Sequence, residues 1–271
     1  MNERNPQAEQ MGDASMARNL AYQAEAIWPQ ERVLFDRYAL GAAPRILDLG
    51  CGTGEITRRL AERYRDAELV GVDILESNLA IARDASAGLG ARVRYEHGDA
   101  FALAYPDAHF DLVVCRHLSQ AVPDFPRVFD EITRVLRPGG WLHLLSEDYG
   151  MLHLPRASRD ADRFWIDTVF PYLDGLGCDS RVGRHSAPLF ERAGYAGIAA
   201  DYVVVDTLRV PRAAFAGILR SWRDGYASVL ADASGRDIDD VRADFDAMVA
   251  SIDNPARYAV WHVPVISGRR A

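Results

Sequence analysis

The hydrophobic pattern divides the chain into short apolar runs alternating with longer stretches of helical periodicity. After a polar leader, Met1 to Met16, the residues Leu20, Ala24, Ile27 and Trp28 recur at helical spacing. Pro29 is expected to interrupt this stripe, which resumes at Val33, Leu34 and Tyr38 and stops at Gly41, giving two short helices ahead of the main body. From Arg45 the pattern changes. Ile46, Leu47 and Leu49 form a compact apolar run that ends in a glycine cluster, and Ile56, Leu60, Ala61 and Tyr64 follow at helical spacing. The alternation repeats with strand-like 68–72, a helix over 77–87 closed by Gly88, and strand-like 92–97 and 110–115. A helix over 126–136 is expected to stop at Arg137-Pro138-Gly139-Gly140, before a fifth strand over 141–146. Strands alternating with helices imply right-handed crossovers and a parallel sheet.

Beyond Glu147 the rhythm loosens. The pattern predicts a helix from Arg156 to Tyr172, a loop over 175–183, a helix over 186–193, and a strand over 201–208. Helices over 212–231 and 237–251 then precede a last strand over 258–266, as if inserted between two late strands. The sequence shows no internal repeat and no low-complexity tract, so one core with helical additions is expected rather than a second folding unit.

Composition narrows the partners. The chain has 271 residues, 49% of them hydrophobic and 26% charged, which is enough apolar material for a large core. A formal charge of −8 repels phosphate backbones and anionic membrane surfaces, so neither nucleic acid nor membrane is an expected partner. Cys51, Cys115 and Cys178 form no close pair and no zinc-knuckle spacing. The leader lacks the basic start and apolar core of a signal peptide, and no apolar run reaches spanning length. A cytoplasmic location is expected; oligomeric state is left open.

The chemistry starts at Ile46-Leu47-Asp48-Leu49-Gly50-Cys51-Gly52-Thr53-Gly54, where three glycines join a strand to a helix. Glycine permits positive φ and close backbone approach, and the free N–H groups of the following helix favour an anionic group. A dinucleotide fingerprint would need its third glycine where Glu55 stands, and no Lys-Ser/Thr follows for a phosphate-cradling loop. Asp73, at the end of the second strand, is placed to accept hydrogen bonds from ribose hydroxyls. Asp99, after the third strand and beside Phe101, is placed to accept from an adenine amino group. An adenosine with no phosphate fits all three.

These residues resemble the class I S-adenosylmethionine-dependent methyltransferases, through ILDLGCGTG (46–54), GVD (71–73), GDA (98–100), FDLVVCRHL (110–118) and LRPGG (136–140). The resemblance covers about Arg45 to Ser146. It implies an α/β Rossmann-like fold whose seven-stranded, mostly parallel sheet carries helices on both faces and a reversed last strand. It implies a single domain over 1–271, with N-terminal lid helices over 1–43, a cofactor-binding half over 44–150, and substrate-side helices with the last strands over 151–271. The stretch 203–206 and the stretch 258–266 serve as sixth and seventh strands, and the helical insertion between them, about 211–253, departs from the short connection usual in the family. The implied activity is methyl transfer from S-adenosylmethionine, leaving S-adenosylhomocysteine, to an oxygen, nitrogen or carbon nucleophile of a small molecule. Asp48 and the loop Gly50, Cys51, Gly52, Thr53 and Gly54 would hold the methionine end. Asp73 with Ile74 would hold the ribose, Asp99 with Ala100 the adenine, and Arg116 the side facing both ligands. A protein of this fold that binds the cofactor as a sensor, or as a catalyst of cyclisation, is the alternative.

Candidate acceptor-side groups are expected at the carboxyl edge of the sheet. His117 follows the fourth strand, where an imidazole can take a proton near neutral pH or contact substrate. Glu147 and Asp148 follow the fifth strand as further candidate bases, with Tyr149 beside them as a substrate contact. Tyr22 and Trp28 are candidates for roofing the substrate, Trp28 equally for plain helix packing. No metal is expected: the His143–His153 spacing matches no ligand set, and Arg116 and His117 stand where cation-dependent relatives carry an acid. Cys51 has no base nearby in sequence to support a nucleophilic role.

Overall fold

The computed structural model describes residues 4–155 and 157–271. The first three residues of the leader and Arg156, the expected start of a helix, lie outside the described residues. The parallel core is built from β1 (Arg45–Leu49), β2 (Glu68–Asp73), β3 (Val93–His97), β4 (Phe110–Arg116) and β5 (Leu136–Leu145). The sheet runs β3-β2-β1-β4-β5-β8, and β7 (Ala196–Asp206) pairs with the far edge of β8 (Val260–Arg269). Among the described strands β8 alone is reversed, pairing antiparallel with β5, β7 and the two-residue β6 (Leu152–His153). This is the expected seven-stranded, mostly parallel sheet with its last strand reversed, and one addition. The addition is β6, which continues the line of β5.

Period-two alternation sends successive side chains to opposite faces. Leu47, Leu49, Val113 and Cys115 pack with Val128, Phe129 and Ile132 of α5 (Phe125–Val135) and with Phe190 of α8 (Val182–Arg192). Ile46, Leu69, Leu112 and Val114 pack on the other face with Ile56 and Leu60 of α3 (Glu55–Arg63) and with Phe35. Helix α4 (Glu76–Ala85) carries the crossover from β2 to β3.

Two local expectations fail for identifiable reasons. After the one-turn α1 (Ala8–Met11), helix α2 runs unbroken from Ala14 to Glu31 with Pro29 inside it. A proline this close to a helix end removes a single backbone donor from a helix that tertiary packing already fixes. The segment Arg137–Gly140 is likewise not a break ahead of the fifth strand, because β5 already begins at Leu136. A register shift against β4 between Phe110 and Leu112 absorbs the irregular residues, and Gly139 takes a positive φ of 78°.

The expected helix after Glu147 starts later. It is α6 (Ala161–Phe164), a π-helical turn over Trp165–Val169, and α7 (Phe170–Gly175) in succession. The insertion between β7 and β8 forms α9 (Arg212–Ser234) and α10 (Ile238–Asp253). Helix α9 packs closely on α2: a Cβ at Gly217 would lie 2.6 Å from Cε2 of Tyr22, and one at Gly225 would lie 3.0 Å from Oγ of Ser15.

Candidate active site

The carboxyl ends of β1, β2, β4 and β5 open into one cavity, which encloses about 1370 Å³ including its open mouth. Its lining divides by chemistry. One part holds Gly50, Gly52, Asp73, Ile74, Asp99, Ala100 and Arg116; the other holds Tyr149, Trp165, Tyr172, Trp222, Tyr226 and Phe245. His117 and Glu147 line the same cavity.

The glycine loop is shaped by its own surroundings as much as by any ligand. Gly52 and Gly54 take φ values of 52° and 74°, a region that disfavours residues carrying Cβ. A Cβ at Gly52 would lie 2.5 Å from Cδ1 of Leu20 on α2, and one at Gly54 would lie 2.5 Å from the Tyr95 hydroxyl. Gly50 and Gly52 line the cavity, whereas Cys51, Thr53 and Gly54 do not. Asp48 does not line it either: the carboxyl is buried, accepts from Thr57 Oγ1 at 2.6 Å, and is pushed up to about 6 by burial. The Cys51 thiol packs among Leu79, Ala82 and Tyr95, and burial raises its pKa well above the ordinary range. That removes a nucleophilic thiolate.

Asp73 is held by two backbone donors, Gly52 N at 2.8 Å and Leu75 N at 2.9 Å, while burial raises its pKa against their pull. Asp99 accepts from Phe101 N at 2.9 Å and from Arg4 Nη1 at 2.9 Å. Arg116 Nε donates to the fully buried Glu31 at 2.7 Å, and its Nη2 is buried without a partner. Two carboxylates, a glycine-bounded surface and an unpaired guanidinium nitrogen suit the adenosine and the amino-acid end of S-adenosylmethionine.

Two residues that the sequence offers separately come together. His117 Nδ1 lies 2.6 Å from Glu147 Oε1, which also accepts from Gln23 Nε2 at 3.0 Å. A neutral imidazole that donates from Nδ1 to a carboxylate oxygen presents Nε2 as an acceptor. Nε2 is buried and has no partner. The backbone of His117 takes φ 54°, an uncommon conformation for a residue carrying Cβ. Gln120 Nε2 donates to the His117 carbonyl at 2.8 Å and steadies that turn.

Three of the candidate acceptor-side residues lie off the cavity. Asp148 does not line the cavity; Arg184 grips it through both oxygens, at 2.6 and 2.9 Å, and it caps Gly150 N, which makes it a structural anion. Tyr22 lies against Gly217 of α9, and Trp28 packs on Phe35 at a ring separation of 5.6 Å, so neither reaches the cavity. Tyr149 does line it, stacked on Trp165 at 5.2 Å and edge-on to Trp222 at 5.5 Å. The insertion contributes wall: Trp222, Tyr226 and Leu230 lie at helical spacing on α9, with Phe245 from α10. Periodicity alone does not separate these aromatics from core, since lining and core residues share one apolar face. Among the described residues no group of three or more His, Cys, Asp or Glu side chains is placed to hold a metal. No helix among them is long and apolar enough to cross a membrane.

Known proteins place this arrangement in a family. Residues 46–140 match the methyltransferase domain family. A demethylmenaquinone methyltransferase of Thermus thermophilus is 36% identical over 166 residues, covering 59% of this chain and 70% of that protein. A 27-O-demethylrifamycin SV methyltransferase of Amycolatopsis mediterranei is 41% identical over 117 residues, but the match spans 41% of this chain and only 43% of that protein. Among solved structures, the [4+2]-cyclase SpnF shares the fold with a TM-score of 0.56 at 22% identity, covering 88% of this chain and 78% of that one. The chain belongs to the class I S-adenosylmethionine-dependent methyltransferases.

Proposed function

We propose that the protein methylates an ionisable hydroxyl, or an equivalent carbon or nitrogen acid, on an apolar and largely aromatic small molecule. The observation that carries this reading is the His117–Glu147 pair, whose unpartnered Nε2 belongs to the same cavity as the cofactor-side residues and the aromatic wall. The wall residues Tyr149, Trp165, Val169, Leu173, Trp222, Leu230 and Phe245 include no charged side chain, which favours a neutral, flat scaffold over a polyanion. The Thermus and Amycolatopsis relatives, named as methyltransferases of demethylmenaquinone and 27-O-demethylrifamycin SV, support a small-molecule acceptor.

When bound, S-adenosylmethionine supplies an electrophilic methyl group. The residues of this chain do the rest. Asp73 is placed to accept from the ribose hydroxyls, Asp99 from the adenine amino group, and Gly50 and Gly52 let the backbone approach closely. His117 Nε2 takes the acceptor proton, and Glu147 stabilises the imidazolium through Nδ1. Glu147 in turn is oriented by Gln23. The aromatic wall orients the acceptor and excludes water, and such positioning is worth up to roughly 7–11 kcal/mol of the barrier.

Binding without any chemistry, as in a sensor, would leave the His117–Glu147 pair without a task, whereas a cyclisation catalyst could use it without transferring methyl. Incubation with labelled S-adenosylmethionine and a panel of hydroxylated apolar aromatics tests the point by mass analysis. Gain of one methyl on any acceptor supports the reading; tight cofactor binding with no transfer to any acceptor in a panel that binds would contradict it.

A further inference from the structure

Helix α2 buries polar side chains where packing against a core calls for apolar ones. Asn19, Gln23 and Glu31 lie along one face at multiples of four residues, with Ile27 between the last two, and all four are buried. Each of the three polar residues keeps one oxygen without a donor: Asn19 Oδ1, Gln23 Oε1 and Glu31 Oε2. The orientation of Gln23 follows from chemistry, since its Nε2 must face the Glu147 carboxylate and Oε1 is therefore the free edge. Buried acceptors without donors are destabilising and point to a ligand that satisfies them.

Arg116 meets this stripe from the end of β4. Its Nε bonds Glu31 at 2.7 Å, and its Nη2 is buried and unpaired. Glu31 is held from behind by His143 Nε2 at 2.9 Å, and His143 Nδ1 by the Tyr38 hydroxyl at 2.7 Å. Burial opposes ionisation of Glu31, but the Arg116 charge and the His143 bond outweigh it and hold the carboxyl at about 2. Arg116 is thus oriented by a fixed anion while one donor edge remains free. Asn19, Gln23 and Arg116 all line the cavity beside Gly50 and Gly52.

Unpaired acceptors next to an unpaired cationic donor match a zwitterion. We propose that Arg116 Nη2 donates to the carboxylate, and Asn19 Oδ1 and Gln23 Oε1 accept from the ammonium, of the amino-acid end of S-adenosylmethionine, with Glu31 as the positioning residue of Arg116. The inference rests on the methyltransferase reading and assigns to α2 a role in holding the cofactor, in place of the buried Asp48. The sequence hid it, because the stripe Leu20, Ala24, Ile27 and Trp28 made the adjacent face of α2 look like ordinary core.

Calorimetric titration with two probes tests it: S-adenosylhomocysteine, and 5′-methylthioadenosine, which keeps the adenosine and thioether but lacks the amino-acid end. In Glu31→Gln and in Asn19→Ala, affinity for S-adenosylhomocysteine is expected to fall by about tenfold or more while that for 5′-methylthioadenosine stays within about twofold. Equal weakening of both probes means a structural role and overturns the proposal, as does no change for either. Asn19→Ala decides the matter if Glu31→Gln does not fold. A wild type that binds neither probe overturns the methyltransferase reading and this proposal with it.

Discussion

The imidazole of His117 and the carboxylate of Glu147 meet at 2.6 Å across the ends of β4 and β5, although thirty residues separate them in the chain. The parallel register that sets Arg116 opposite Leu145 puts the two loops side by side, so the pair is a product of sheet geometry. His117→Gln and Glu147→Gln are expected to lower kcat by roughly 10²–10⁴-fold and about 10-fold or more, respectively, and His117→Gln is expected to leave cofactor affinity within about twofold of wild type. Steady-state kinetics beside cofactor titration checks this. Turnover unchanged in His117→Gln would remove the base.

The aromatic wall separates substrate binding from folding. Trp222→Ala is expected to raise KM for the acceptor by about tenfold or more without weakening cofactor binding. Trp28→Ala, which touches Phe35 rather than the cavity, is expected to lower Tm and leave that KM unchanged. A KM rise in Trp28→Ala would restore it to the substrate roof.

Gly54 is conformationally committed by Tyr95. Gly54→Ala adds a Cβ both in a left-handed conformation and against the Tyr95 hydroxyl, at a cost of about 1–3 kcal/mol, or a Tm loss of roughly 2–10 °C. Tyr95→Phe in the same chain is expected to recover part of that loss. An unchanged Tm in the single variant would show that the loop relaxes freely.

Two buried acids give opposite pH dependences. Glu31, held at about 2 against an ordinary 4.5, contributes stability that is complete above pH 4.5 and is lost as pH falls toward 2. Asp48, raised to about 6 from 3.8, favours its protonated form in the fold, so its contribution is complete below pH 3.8 and is lost as pH rises through 6. Each window spans about 3 kcal/mol. Denaturant unfolding across pH 4 to 7 is expected to show a loss that Asp48→Asn reduces, with the raised Asp73 carboxyl contributing to the remainder. Identical profiles for the two proteins would refute the assignment to Asp48.

The strand-and-helix alternation from Arg45 to Ser146 was legible because each element carries its own period and its own breaker, and the glycine loop with Asp73 and Asp99 marked one side of the cavity. What could not be read was pairing at a distance. Asp148 and Glu147 are adjacent acids in sequence, yet only Glu147 lines the cavity while Arg184 takes Asp148. Tyr22 and Trp28 both sit on α2, but their faces turn to α9 and Phe35. Glu31 gave no signal at all, because a lone acid at a helix end reads as solvated until a buried arginine is placed beside it.

The measurement that bears most directly on the central claim is calorimetric titration of S-adenosylhomocysteine into the wild type and Asp73→Ala. One site per chain, with affinity lost by about a hundredfold or more in the variant, is expected if the Asp73 carboxylate holds the ribose. Equal binding by both proteins, or binding by neither, would contradict the assignment of this cavity to the cofactor.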